Sequence, residues 1–237
     1  MPLLKINHNG NFSLTRFGPN NIPPYAILSH TWEADEQELT FEEMMTGTGL
    51  NKAGVAGYRK IQFCGDQANK DGLEYFWVDS CCIDKTSSAE LSESLNSMFR
   101  SYSEATTCYV YLSGSSSFDA SHDVEPQLRG LRWFQRSWTL QELIAPKKAV
   151  LFTATWKAIG TKRSLSSPLS SVTGIPSRVL LLHKASSAQK MEEDMAYCLL
   201  GISDISMPPL YGEGLRNAFC RLQEEIIKGS ADDSIFA

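Results

Sequence analysis

GYRKIQFCGDQANKDGLEYFWVD, residues 57–79, contains the two hydrophobic patterns from which an α/β fold is built. Residues 57–68 repeat apolar side chains at helical spacing, and Asp71-Gly72 is typical of a helix end. Residues 75–79 form a short aromatic run that predicts a buried strand. Together with the apolar run at 25–29, the segment predicts a strand–helix–strand unit, and such units favour a parallel sheet with right-handed crossovers.

The same alternation continues towards the C-terminus. Ser87, with Glu90 three residues later, predicts a capping box at the start of a further helix. The predicted elements that follow are a strand at 108–112, a helix at 131–144 closed by Pro146, and a strand at 149–156. We therefore expect four to five strands in a doubly wound sheet flanked by helices.

Both ends of the chain differ from this alternation. Residues 1–24 predict a loop or an edge hairpin, and the acidic run at 31–43 predicts a surface loop. Two helices are predicted after residue 160, at 192–200 and 215–227. We expect one domain over 1–237, with an α/β core at 25–160 and a mostly helical extension at 161–237.

Composition narrows the class of protein. Apolar residues make up 42% of the 237 and charged residues 21%, which is ordinary for a globular domain. The net charge of −5, without a run of basic residues, argues against a nucleic-acid partner. The sequence has neither a signal peptide nor an apolar run long enough to span a bilayer, so we expect a soluble, cytoplasmic protein.

The cysteines do not predict a metal site. The chain has 6 of them, none in a Cys-x-x-Cys pair, and adjacent Cys81-Cys82 is not a zinc-ligand spacing. We expect reduced thiols that lie mostly in the core.

Polar side chains follow two of the predicted parallel strands. Ser29, His30 and Trp32 come at the end of the first strand, and Asp79 ends the second. Because open α/β sheets bind ligands outside the carboxyl ends of their strands, these side chains are candidates for one crevice. Each of them alone is more typical of a structural residue, such as a loop cap.

Glu142 is the strongest candidate for a functional carboxylate. It lies four residues after Trp138, so the two share one face of the predicted helix. An aromatic plane beside a carboxylate suits a nucleotide, because the carboxylate can accept hydrogen bonds from the ribose hydroxyls. Spacing alone favours a core Trp and a solvated Glu on an amphipathic helix. A thiol hydrolase that uses Cys82 with His30 and Asp79 is a further hypothesis, without a motif to support it.

Six blocks of the sequence resemble the fungal heterokaryon-incompatibility (HET) domain. They are PYAILSHTW at 24–32, FWVDSCCIDK at 76–85, ELSESLNSMF at 90–99, RSWTLQELIAP at 136–146, EDMAY at 193–197 and LYGEG at 210–214. The resemblance implies a cell-death effector in fungal non-self recognition. It also implies self-association, and a link in cis or in trans to NLR-type receptors with NACHT and repeat regions.

HET domains are similar, more distantly, to TIR domains, which implies a flavodoxin-like, TIR-like sheet. Some TIR domains hydrolyse NAD+ through the Glu of a Trp-x-x-x-Glu helix, and Trp138 and Glu142 match that spacing. The resemblance thus implies an NAD+ glycohydrolase with Glu142 as its catalytic carboxylate, and with NAD+ as substrate rather than cofactor. The predicted substrate-binding residues are Trp138, Ser29, His30, Trp32, Asp79, Arg136 and Lys85, and no metal is required. The alternative is a non-catalytic adaptor that signals through homotypic contacts.

Overall fold

The computed structural model describes residues 1–7, 11–52, 54–115, 118, 123–136, 138–181 and 214–229. Within these residues, one mixed sheet has seven strands in the order β2-β1-β4-β3-β5-β6-β7. The strands are β1 Pro2–Ile6, β2 Phe12–Arg16, β3 Tyr25–His30, β4 Tyr75–Trp77, β5 Thr107–Leu112, β6 Ala149–Thr153 and β7 Ala158–Thr161.

Helices pack on this sheet. They are α1 Phe41–Thr46, α2 Ala56–Lys70, α3 Asp79–Cys82, α4 Ser88–Glu104, α5 Val124–Arg129, α6 Trp138–Ile144, α7 Ser166–Thr173, α8 Ser177–Leu181 and α9 Gly214–Gly229. Short 3₁₀ turns lie at Asp35–Gln37, Thr48–Lys52 and Arg132–Gln135. The prediction of an α/β fold is confirmed.

Four parallel strands form the centre of the sheet. β3 pairs in parallel with β4 on one side and β5 on the other, and β5 pairs in parallel with β6. Numbered in chain order, these strands run 2-1-3-4, which is the beginning of the flavodoxin-like order. The order reverses at β3, so the topological switch point lies at the carboxyl end of that strand.

The sheet is wider than the four to five strands predicted. β1 and β2 pair antiparallel in a regular register and join β4 through β1, so the N-terminal segment is the edge hairpin rather than the loop. At the other edge, the predicted strand 149–156 ends at Thr153, and the chain turns at Trp156, whose φ is 63°. The turn leads into β7, which pairs antiparallel with β6.

The central strands are buried as their apolar sequences predict. All six residues of β3 are buried, and α2 and α6 both pack against the strand. Leu3 and Leu4 of the hairpin are fully buried as well. At the start of α4, the Ser87 hydroxyl accepts a hydrogen bond from the Glu90 amide at 3.3 Å. The Glu90 carboxylate instead binds Arg16 at 3.1 Å, so only half of the predicted capping box is used for capping.

Two predictions of local structure are wrong. The helix expected over 131–144 is a 3₁₀ turn followed by α6, because Arg136 is extended (φ −96°, ψ 134°). The Thr139 hydroxyl donates to the Trp133 and Arg136 carbonyls at 2.5 and 2.6 Å, which fixes this break. The run at 31–43 is not simply a surface loop, since Glu38 and Leu39 are buried within it.

The C-terminal part is helical where it is described. α9 covers the helix predicted at 215–227, whereas the helix predicted at 192–200 lies outside the described residues. Gln223 of α9 donates to Gln141 of α6 at 2.9 Å. Among the described helices, none is both long and apolar enough to cross a membrane.

Candidate functional site

Ser29 and Glu142 meet where β3 ends. The Ser29 hydroxyl donates a short hydrogen bond to the Glu142 carboxyl, and the Trp133 indole donates to the same hydroxyl at 2.8 Å. α6 carries Glu142 against β3, and the break before α6 places Trp133 beside it. All three side chains are buried, with Ser29 0% and Glu142 7% exposed.

Burial changes the acidity of Glu142. Removal from water raises its pKa from 4.5 to about 8, and the nearby negative charge of Asp79 adds to the increase. The Ser29 hydrogen bond, the positive charge of Arg136 and the Tyr102 hydroxyl favour the ionised form but only partly offset the increase. A pKa of about 8 makes the carboxyl mostly protonated at neutral pH.

A second cluster lies at the neighbouring strand ends. Asp79 accepts a hydrogen bond from the Trp32 indole at 2.9 Å, and its other carboxylate oxygen lies 3.8 Å from Nδ1 of His30. The Lys85 ammonium lies over the Trp32 ring, 3.0 Å from its centroid. Asp79 is the first residue of α3, not the last residue of a strand as predicted, and it still points to the carboxyl edge of β3.

A buried ion pair lies on the other side of His30. Nε2 of His30 is 3.8 Å from the Glu38 carboxylate, which also binds Lys60 at 2.6 Å. Lys60 donates in addition to the Thr31 carbonyl at 3.0 Å. Glu38 and Lys60 are 6% and 1% exposed, so this pair is part of the interior.

His30 is neutral in this setting. Burial lowers the pKa of His30 well below 6.5, and the positive charges of Lys60, Arg136 and Lys85 lower it further. Neither ring nitrogen of His30 nor Oδ1 of Asp79 has a hydrogen-bond partner among the described residues. These atoms are buried, and buried polar groups are rarely left without a partner, so they mark this cluster as a candidate for ligand binding.

The predicted site residues are mostly close together. Ser29 contacts Glu142, and Trp32, Asp79, His30 and Lys85 form the adjoining cluster. Arg136 influences both groups through its charge. Trp138 lies in α6 with Glu142, and its side chain is outside the described residues.

Sequence reasoning missed four side chains of this region. Trp133 and Tyr102 had no signal beyond apolar periodicity, and Tyr102 is fixed by a 3.0 Å hydrogen bond to the Leu28 carbonyl. Glu38 lies in the acidic run at 31–43, which predicts a surface loop, and Lys60 is a charged residue of the helix predicted over 57–68. The buried contact between Glu38 and Lys60 depends on the three-dimensional fold and has no signal in the sequence.

Cys82 does not pair with His30. Its sulfur accepts from the Val78 amide at 3.4 Å, and the two His30 nitrogens face carboxylates instead. Four of the five free cysteines in the described residues are buried. In the same residues, no group of three or more His, Cys, Asp or Glu side chains is arranged to hold a metal ion.

Comparison with known proteins gives one family. Residues 25–129 match the family model described as Heterokaryon incompatibility protein (HET). The chain is also 43% identical, over 255 aligned positions, to Vegetative incompatibility protein HET-E-1 of Podospora anserina. That alignment covers 100% of this chain and 18% of the relative, so the chain spans less than a fifth of the relative's length. No solved structure gives a significant match.

Proposed function

The chain belongs to the heterokaryon incompatibility (HET) family, and from this membership we propose that it is a cell-death effector domain of vegetative incompatibility that hydrolyses NAD+. The relative's name supplies the cellular role, and the site supplies the argument for the reaction. Self-association and an NLR-type receptor with NACHT and repeat regions, in cis or in trans, are part of this proposal.

The Ser29–Glu142 pair is the observation that carries the proposal. It lies at the carboxyl end of β3, where the strand order reverses, and open α/β sheets bind their ligands at that point. The unpaired polar atoms of His30 and Asp79 lie at the same edge; they are buried, and in the proposed complex they would pair with ribose hydroxyls once the site opens to admit them. Lys85 and Arg136 supply positive charge that a diphosphate requires in a chain of net charge −5.

Hydrolysis of NAD+ requires a carboxylate but no general acid. In NAD+ hydrolysis the bond between C1′ and the pyridinium nitrogen breaks, and its electron pair passes to the nitrogen. Nicotinamide therefore leaves as a neutral molecule. The oxygen of water then bonds to C1′, which carries oxocarbenium character, and one proton is released as ADP-ribose forms. A carboxylate close to C1′ stabilises that positive charge.

Glu142 fits this role once substrate is bound. Its raised pKa keeps the carboxyl mostly protonated at neutral pH, but a cationic pyridinium next to it favours the ionised form. Ser29 keeps the carboxylate oriented through its hydroxyl. Substrate binding and ionisation of Glu142 thus support each other.

A non-catalytic adaptor is the second candidate, and the burial of the pair favours it. Ser29 is 0% and Glu142 7% exposed, and a neutral, hydrogen-bonded carboxyl also suits a structural core. In that case the domain would signal through contacts between like domains, and Glu142 would only stabilise α6 on β3.

The test is nicotinamide release from NAD+ by wild type, Glu142→Gln and the control Glu36→Gln, which changes an exposed glutamate. Glutamine keeps the size and the hydrogen bonding of the neutral carboxyl, so we expect the variant to fold. Loss of the charge should lower kcat by roughly a hundredfold or more. The control should match wild type. Equal release by wild type and Glu142→Gln would exclude Glu142 as the catalytic carboxylate. No release by a folded, self-associated wild type would overturn the enzyme and favour the adaptor.

A further inference from the structure

A cavity of about 300 Å³ lies at the end of the sheet opposite the Glu142 site. It is bounded by the amino end of β6, the residues after β7 and helix α8, and β6 runs parallel to the strands that carry the candidate site at their carboxyl ends. Its lining residues are Lys147, Lys148, Ala149, Thr161, Lys162, Arg163 and Leu180. Four of these seven are basic and none is acidic.

Three of the four basic side chains are at the surface. Lys147, Lys148 and Arg163 are exposed, and none of them forms a salt bridge within the part of the chain that the structure describes. In a chain of net charge −5, a local group of cations without carboxylates is unusual. Such a group attracts anions.

The fourth basic side chain is buried and positions the cavity wall. The Lys162 ammonium donates to the carbonyls of Leu143 and Ile144 at 3.1 and 3.3 Å, and to that of Pro146. Lys162 is 2% exposed and has carbonyl dipoles, not a carboxylate, as partners. Its positive charge therefore remains uncompensated next to the cavity, and burial lowers the pKa of Lys162 to about 8.

We propose that this cavity binds a phosphate group. The exposed Lys147, Lys148 and Arg163 provide the donors that phosphate prefers, and the Lys162 charge behind them adds attraction. Ala149 and Leu180 give the apolar part of the wall, on which the remainder of a small phosphorylated molecule can lie. The volume is at the lower limit for small-molecule pockets, which suits a phosphate or diphosphate group. This inference is independent of NAD+ hydrolysis.

The test is calorimetric titration of the protein with inorganic pyrophosphate, at an ionic strength held constant with chloride. The cavity variant is Lys147→Gln/Lys148→Gln/Arg163→Gln. Its control, Lys70→Gln/Arg132→Gln/Lys157→Gln, loses the same charge at exposed cations elsewhere. Wild type and control should bind saturably, while the cavity variant should bind about tenfold more weakly or worse. Added salt should weaken binding by wild type.

Sedimentation with phosphatidylcholine vesicles, with and without phosphatidic acid, identifies the source of the phosphate. Sedimentation only with phosphatidic acid, lost in the cavity variant, would assign the site to a lipid headgroup. Pyrophosphate binding without such sedimentation would assign it to a soluble molecule. Absence of both, or equal pyrophosphate binding by the cavity variant and its control, would overturn the proposal.

Discussion

The surroundings of Glu142 determine whether its carboxyl is ionised or neutral. Its carboxyl leaves water on folding and faces the charge of Asp79, and these two effects raise its pKa to about 8. The Ser29 hydroxyl and Arg136 limit the increase. A carboxyl with this pKa can change its charge in response to a bound cation at neutral pH.

The proposed reaction therefore has a predictable pH dependence. The ionised form of Glu142 is the active one, so kcat/KM should fall about tenfold per pH unit below pH 8 and level off above it. Asp79→Asn removes a negative charge that raises this pKa, and the midpoint should move to lower pH. Initial rates across the pH range, for wild type and Asp79→Asn, check both statements. A decline of kcat/KM above pH 8 would instead assign Glu142 the role of a general acid.

The sequence could suggest Glu142 but not its surroundings. Spacing placed Trp138 and Glu142 on one helix, and α6 contains both. The Ser29–Glu142 bond joins residues 113 positions apart, and Trp133 reaches Ser29 across 104. Neither contact has a local pattern, because each depends on how α6 packs against β3.

Helix α2 connects the fold to the His30 cluster. Its Gly57 lies against the 3₁₀ turn at Asp35–Gln37, and Lys60, one turn later, binds Glu38 at 2.6 Å. A Cβ atom at Gly57 would lie 2.4 Å from the Gln37 carbonyl oxygen and 2.8 Å from Cα of Glu38. Backbone atoms cannot give way as a side-chain end can, so this position requires glycine.

Gly57→Ala should consequently destabilise the protein. Overpacking against the backbone costs about 1–3 kcal/mol, and the higher helix propensity of alanine regains at most about 1 kcal/mol. Gly130→Ala is the matched control, since its φ is −87° and no atom lies within 4 Å of the added methyl group. Urea denaturation of the two variants gives the comparison. Equal stability of the two variants would mean that the turn at 35–37 can shift away from α2 and make room for the added methyl group.

The alternation of strands and helices predicted the central sheet well, because each element carries its own hydrophobic period. The flanking strands were harder. β2 and β7 are less buried and carry mixed side chains, so their pairing is decided by neighbours. The run at 31–43 differs from its prediction for a related reason: the charge of Glu38 predicts solvent exposure, yet Lys60 pairs with it in the interior.

The net charge of the chain affects the proposed self-association. Its net charge of −5 makes copies repel one another, and salt screens this repulsion.

The two edges of the sheet differ as templates for pairing with a second copy. Strand β2 forms a regular five-residue edge, while β7 is four residues long and pairs with β6 in an irregular register. β2 is therefore the better template for a second copy.

If self-association activates the domain, NAD+ turnover per chain should rise with protein concentration rather than stay constant. The rise should begin at a lower protein concentration when salt is added, because screened copies associate more readily. Light scattering on the same samples tells whether assembly and turnover increase together. Glu142→Gln should assemble as wild type does without turnover, since its change lies in the interior and not at the edge of the sheet. Constant turnover per chain across dilution would show that the single chain is the active unit and that assembly serves only to recruit partners.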